Sequence, residues 1–364
     1  VRFMLGLMRP RIPDIALAAP TGRAAKRITE TTGAEASTIH RLLEASNMGF
    51  QRDRENPLEQ ELLIIDETSM IDTLLMDSLL EAVPSASRLI LVGDVDQLPS
   101  VGAGAILLDL IESGSIPVVR LDQIFRQAAD SYITVNAHKV RRGELPDFGS
   151  SSPQTDVDNQ LLDFYFIKES DPEKIVKKIL LMNSERIPQR FELDPMMDVQ
   201  VLTPMHRGIT GAIHLNRKLQ DMLNPDAKGL EHREQWLRIG DKVMQQQNDY
   251  EKQVFNGDLG IIVNCDPKTK ELHVQFEQDI VHYQANELDQ LTLAYAITVH
   301  KSQGSEYSAV IMPISSHHYM MLQRNLLYTA ITRGKQLVVL IGTEAAIRKA
   351  VKNEETTRRF TGLL

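Results

Sequence analysis

The chain has 364 residues, 42% of them hydrophobic, and a formal net charge of −9, which suits two or three globular domains with proper cores and excludes a disordered or fibrous protein. The negative charge argues against a general electrostatic grip on nucleic acid but leaves room for a local basic groove on an acidic surface. The single cysteine, Cys265, has no partner for an internal disulfide, and neither a signal peptide nor a long apolar span is visible, so a reducing cytoplasm is the expected location.

Val1–Met8, VRFMLGLM, reads as the tail of a helix begun upstream, because no capping residue precedes it and Pro10 and Pro13 stop it. A strand is expected over 14–19, followed by a turn, Pro20-Thr21-Gly22-Arg23, that opens a helix through Ala24, Ala25 and Ile28. The N–H groups, hydroxyl and guanidinium of that turn suit a phosphate; a plain strand-to-helix turn accounts for the same residues. STIHRLLE from Ser37 reads as a short helix. The polar segment around Phe50, with Asn47, Gly49, Asn56 and Pro57, reads as a hairpin over 47–58 projecting from the domain.

The stretch Glu61–Asp72, ELLIIDETSMID, organises the chain. Four apolar residues, Leu62, Leu63, Ile64 and Ile65, predict a buried parallel strand that delivers Asp66 and Glu67 at its carboxyl end. Ligands bind at that end of an open α/β sheet, so an adjacent acid pair there can hold Mg²⁺ and orient an attacking water. A strand simply ending in solvated acids is the alternative. A helix through Leu74, Leu75, Leu79 and Leu80 follows, then a third apolar strand over 88–92. It ends in Gly93-Asp94-Val95-Asp96-Gln97, where Gln97 is placed to sense a phosphate or is one more loop amide.

A new unit is expected from Ile116, with Val118 and Val119 in a strand before Leu121-Asp122-Gln123-Ile124-Phe125-Arg126-Gln127. Residues 150–159 are polar and turn-rich and read as a surface loop. Another strand, over 198–202, runs into Thr203-Pro204-Met205-His206-Arg207-Gly208 and a helix carrying Ile213, Leu215 and Leu219. Between 237 and 291 the pattern changes to short alternating strands with turn signals at Asn256-Gly257 and Asp266-Pro267, the mark of a small inserted β-barrel. Trp236, at its entrance, is expected to pack. The last stretch predicts a strand over 309–314, a helix over 325–332 followed by Arg333, and a strand over 337–341. His300 and Lys301 form either an anion site or a solvated turn; no Cys/His cluster has metal-ligand spacing, which sets structural zinc aside.

Eight motifs recur in order: APTGRAAKR (Ala19–Arg27), STIHRLL (Ser37–Leu43), IDETSMID (Ile65–Asp72), LVGDVDQLPSVGAG (Leu91–Gly104), LDQIFRQ (Leu121–Gln127), VLTPMHRG (Val201–Gly208), AITVHKSQGSEY (Ala296–Tyr307) and YTAITRGK (Tyr328–Lys335). Together they resemble the superfamily-1 DNA helicases of the 5′→3′ branch, most closely the RecD-like proteins of the exodeoxyribonuclease V alpha chain family. The resemblance implies an α/β fold of two RecA-like parallel-sheet lobes with an SH3-like barrel insertion and a short strand-separating hairpin pin. The first lobe would span 1–115, the second 116–236 and 292–364, and the barrel 237–291. It further implies ATP and Mg²⁺ as cofactors, with Asp66 holding the metal, Glu67 activating water, Gln97 reading the γ-phosphate, and Arg126 and Arg333 acting as arginine fingers. Gly93, Asp94, Gly304 and Glu306 would line the nucleotide. Single-stranded DNA would be touched by Pro20, Thr21, Gly22, Arg23, Thr38 and His40 in one lobe and by Thr203, Arg207, Thr298 and His300 in the other. The implied partners are single-stranded DNA, duplex junctions and RecBC-like subunits. One departure stands out. No Gly-Lys-Ser/Thr tripeptide occurs in the 364 residues, so the family's phosphate-binding loop is absent from them; the chain is expected to be a piece of a longer motor and inactive as an ATPase by itself, or else a relative that binds DNA without catalysis.

Overall fold

The computed structural model describes residues 1–46, 49–121, 131–148, 162–233, 235–249, 251–276 and 279–354. They fall into two compact units, within Val1–Asp122 and Gln123–Thr356.

In the first unit, α1 (Arg2–Met8) precedes β1 (Ile15–Ala19), α2 (Gly22–Thr32), β2 (Ser37–Thr38), α3 (Ile39–Leu42), β3 (Ala45–Ser46), β4 (Gly49–Phe50), β5 (Leu62–Ile65), α4 (Thr73–Ala82), β6 (Arg88–Leu91) and α5 (Ile106–Glu112). The order β2-β1-β5-β6 is parallel throughout, with Ala18 opposite both Ser37 and Ile65, and Ile65 opposite Leu91. Leu62 to Ile65 are each 0% exposed, because helices cover both faces of a central parallel strand and every residue must then be apolar. One face packs on Ile39, Leu79 and Ile106, the other on Leu5, Ala25 and Ile28. Ser37 and Thr38, expected in a helix, instead add a short strand beside Ala18 and Ala19; this leaves Thr38 extended, so that its hydroxyl caps α3 by accepting from the Arg41 N–H at 3.1 Å.

The second unit contains α6 (Tyr132–Arg141), β7 (Phe164–Lys168), α7 (Pro172–Leu181), α8 (Ile187–Phe191), β8 (Val199–Thr203), α9 (Ala212–Leu223), β9 (Gly229–His232), β10 (Gln235–Arg238), β11 (Lys242–Gln245), β12 (Leu259–Asp266), β13 (Glu271–Phe276), β14 (Asp279–Tyr283), β15 (Leu291–Leu293), β16 (Ala296–Thr298), β17 (Tyr307–Ile314), α10 (Arg324–Thr332), β18 (Gly334–Gly342) and α11 (Glu344–Lys352). Its main sheet, β16-β8-β17-β18-β7, is again parallel. The inserted strands form an antiparallel sheet, β14-β13-β12-β11-β15, while β9 and β10 make a separate hairpin. Val118 and Val119 form no strand: they are 41% and 88% exposed, and nothing pairs with them. Trp236, expected to pack, is 50% exposed on β10.

A buried carboxylate joins the insertion to the main sheet. Asp241, 0% exposed, accepts from the Arg238 N–H and the Gln220 Nε2, both at 2.6 Å, from the Asn224 Nδ2 at 2.7 Å and from the Tyr295 hydroxyl at 2.8 Å. Burial holds its carboxyl above the usual carboxylate range, against the pull of these donors. Asp241→Ala would strand donors from α9, β10 and the segment before β16 together, so a loss of about 3 kcal/mol or more is expected. Urea unfolding monitored by circular dichroism would measure it.

Candidate functional site

The parallel order of the first sheet brings four loops to one carboxyl edge. The edge carries Thr38 and His40 after β2, Pro20 to Arg23 after β1, Asp66 and Glu67 after β5, and Gly93, Asp94 and Gln97 after β6. Asp66 continues the ladder, its N–H donating to the Ala18 carbonyl at 2.9 Å. Its Oδ1 accepts from the Glu67 N–H at 2.8 Å, and Glu67 itself sits at φ 52°. A left-handed glutamate is uncommon and costs conformational energy; here it turns the chain from the strand into the Thr68–Met70 turn. The turn is held by Thr68, whose N–H donates to Val92 at 2.9 Å and whose hydroxyl donates to Ile65 at 3.2 Å. Gly93 allows the close approach, since a Cβ there would lie 2.7 Å from Leu107 Cδ2 and 3.1 Å from the Ser69 nitrogen.

Asp94 orders the loop after β6, accepting from the Asp96 N–H at 3.0 Å and from the Gln97 Nε2 at 3.2 Å. The loop then folds back on α4, whose N-cap Asp72 accepts from the Leu75 N–H at 2.9 Å; Gly102 is required there because a Cβ would sit 2.0 Å from Asp72 Oδ2. The donors near Asp66 are hard oxygens, and Ser69 Oγ is buried without a hydrogen-bond partner. Among the described residues no group of three or more His, Cys, Asp or Glu would hold an ion by itself. That combination fits Mg²⁺, which one or two carboxylates bind together with substrate phosphates.

The nucleic-acid candidates of this unit lie at the other end of the same edge. The Thr21 hydroxyl caps α2, accepting from the Ala24 N–H at 3.3 Å, so a phosphate there would meet the helix N-terminus and Arg23. His40 is held below the ordinary imidazole range by burial, with Asp72 opposing, and its ring lies 5.7 Å from Phe50. Phe50 belongs to the β3–β4 hairpin, which the Gln51 N–H closes onto the Leu43 carbonyl at 3.1 Å. The hairpin is thus rooted beside His40.

In the second unit the structure separates the expected residues. Thr203, Arg207, Thr298 and His300 stand at the carboxyl ends of adjacent strands β8 and β16. Gly304, Glu306 and Arg333 cluster at the amino ends of β17 and β18, with the Tyr307 N–H donating to the Arg333 carbonyl at 2.8 Å. Arg333 is 2% exposed and donates from Nη1 to the Ser305 carbonyl at 3.0 Å; Glu306 pairs with Lys335 at 3.4 Å. Arg126 lies outside the described residues, as do Asn47 and most of LDQIFRQ. Thr203 is fully buried and its hydroxyl donates to the Thr210 carbonyl at 2.7 Å, so a DNA contact at this position would fall to the backbone and to exposed Arg207. Thr298 caps the short helical turn that holds His300 and Lys301. Lys301 donates at 3.3 Å to both Gln246 and Asn256, tying this turn to the inserted sheet.

One tie was not legible in the sequence. His318, 1% exposed, accepts at Nδ1 from the Ser315 N–H at 3.3 Å, which puts its ring proton on Nε2, 2.7 Å from Thr210 Oγ1. It locks the loop after β17 to the loop after β8. Burial, reinforced by His317, pushes its pKa down to about 4. Because the folded value lies below the unfolded 6.5, the neutral ring's contribution is complete above about pH 6.5 and is lost as pH falls toward 4. The expected loss is about 3 kcal/mol. Urea midpoints at pH 7.5 and 4.5 should fall further for wild type than for His318→Gln.

Family profiles match the chain as an AAA domain over residues 4–103, an ATP-dependent RecD-like DNA helicase SH3 domain over 215–276 and a UvrD-like helicase C-terminal domain over 293–341. An AAA domain followed by a helicase C-terminal domain that carries an SH3-like insertion defines the class, a helicase fold. Among curated proteins, the ATP-dependent RecD2 DNA helicase of Deinococcus radiodurans is 40% identical over 351 residues, 96% of this chain and 46% of the relative. The RecBCD enzyme subunit RecD of Mycobacterium tuberculosis is 33% identical over 372 residues, 93% of this chain and 62% of the relative. The chain carries, in order, the domains found in RecD-like helicases, and spans about half to three fifths of the length of these relatives. In fold it matches a structure of Pif1 helicases at forked duplex DNA, with TM-score 0.56 and 20% identity over 97% of this chain and 87% of the other. It also matches Bacteroides Pif1 with ADP-AlF3 and single-stranded DNA, with TM-score 0.51 and 19% identity over 97% and 87%.

Proposed function

We propose that these residues form the two lobes of an ATP-driven DNA helicase that moves 5′→3′ on single-stranded DNA and opens duplex junctions in recombination and repair. The observation that carries this reading is the carboxyl edge of the first sheet, where an acid pair in a strained turn adjoins a Gln97 loop at one end and Thr/His/Arg groups at the other. MgATP, when bound, supplies the phosphoryl group to be transferred and the cation that neutralises its charge. Asp66 would hold the cation, Glu67 would take the proton of the attacking water, and Gln97 would donate its amide to the phosphate or the water. Arg333, with Arg126, would offset charge from the second unit after release from the Ser305 carbonyl. Gly93, Asp94, Gly304 and Glu306 would line the nucleotide.

DNA would be held along the backbone by Pro20, Thr21, Gly22, Arg23, Thr38, His40, Thr203, Arg207, Thr298 and His300, giving binding independent of sequence and weakened by salt. The free thiol of Cys265 suits a reducing cytoplasm, and among the described residues no helix is long and apolar enough to cross a membrane. RecBC-like subunits are the proposed protein partners, as the name of the M. tuberculosis relative suggests. The direction of unwinding on tailed duplexes tests the main reading.

A further inference from the structure

Two loops leave the carboxyl ends of neighbouring strands β8 and β17, and between them lies a cavity of about 350 Å³ lined by Pro204, Met205, His206, His317, Tyr319, Met320 and Met321. We propose that this cavity takes one unpaired base of the bound strand; the inference rests on the helicase reading and adds a base-stacking subsite to it.

The position favours it, since crevices at the carboxyl ends of parallel strands are where α/β sheets receive ligands. Here the cavity continues the edge that already presents Arg207 and, from β16, Thr298 and His300. The lining favours it too. Two imidazoles and a phenol surround three thioethers, a surface that accepts a flat π-face from either side and adapts to its outline. Tyr319 is 64% and Met320 81% exposed, large apolar groups left at a mouth rather than folded into the core. The charge fits a nucleotide: the Lys349 ammonium lies over one face of the Tyr319 ring, and Arg207 is exposed beside the loop, so cations flank an apolar floor where a base would be flanked by its phosphates. The His318–Thr210 bond fixes the two walls before any ligand arrives. No carboxylate or amide side chain lines the cavity, so the bidentate pairings that tell one base from another are missing, and purines and pyrimidines should enter alike.

The test compares two strands of about a dozen units, one of thymidines and one of abasic residues with the same phosphates, binding to the whole protein that contains these residues, by fluorescence anisotropy without nucleotide. Tyr319→Ala and Met320→Ala are made singly and together; both side chains are exposed, and melting by circular dichroism confirms the fold. The wild type should prefer the thymidine strand, and the double variant should bind that strand about tenfold more weakly while binding the abasic strand unchanged. An oligoadenylate should behave as the thymidine strand does. Equal losses on both strands, or no loss on either, overturn the base subsite while leaving the helicase reading intact. If the wild type binds neither strand, the helicase reading itself fails and the subsite falls with it.

Discussion

Glu67→Gln is expected to lower single-strand-stimulated ATP hydrolysis by on the order of 10³-fold while leaving nucleotide binding in place. The amide keeps the size and the left-handed turn at φ 52° but cannot accept a proton, and loss of a general base costs about 10²- to 10⁴-fold. Asp66 and its bond from the Glu67 N–H stay, so the cation site survives. The measurement is steady-state ATPase with and without DNA, beside binding of a fluorescent nucleotide, in the whole protein that contains these residues. Residues 1–364 alone should show no turnover either, because the backbone cradle and its lysine, which position the phosphates, are not among them. Turnover by those residues at the whole protein's rate would mean that another part of the first unit cradles the phosphates.

Replacing residues 45–49 by two glycines, with Phe50 kept, should abolish unwinding and leave DNA-stimulated hydrolysis within about twofold. Ala45, Ser46 and Gly49 are exposed, and among the described residues of the two hairpin strands it is Phe50, which the replacement keeps, that packs on the core. A wedge whose tip is exposed obstructs a duplex without supporting the ATP site, so the two activities should part. Loss of hydrolysis as well, with unchanged circular dichroism, would make the hairpin a structural part of the first unit.

The parts legible in the sequence are those whose physics is local. β5, and β17 and β18 over 309–314 and 337–341, are buried on both faces and read as apolar runs; β8 is buried as well but its run is broken by Gln200; the alternation of β13, buried at every second residue, marked the inserted sheet. The acids, amide and hydroxyls at strand ends stood out because a parallel sheet gathers its loops on one edge. Asp171-Pro172-Glu173 is a local helix start of the same kind, and α7 begins there with the Asp171 carboxylate capping two N–H groups. β7 is an edge strand, its FYFIK only partly buried and so neither a clean run nor an alternation. Non-local partners were out of reach. Nothing near His318 announces Thr210, 108 residues earlier, and Asp241 reads as a turn acid until Gln220 and Tyr295 close around it. The exposure of Val118 and Val119 shows the converse error, two β-branched residues taken for a strand where no neighbouring strand exists to pair with them.

The most direct test of the account is unwinding of two partial duplexes that differ only in whether the single-stranded tail is 5′ or 3′, followed by strand release in the presence of ATP. The account predicts release from the 5′-tailed substrate, dependent on ATP and abolished by Glu67→Gln, and none from the 3′-tailed one. Release from the 3′-tailed substrate alone would contradict it.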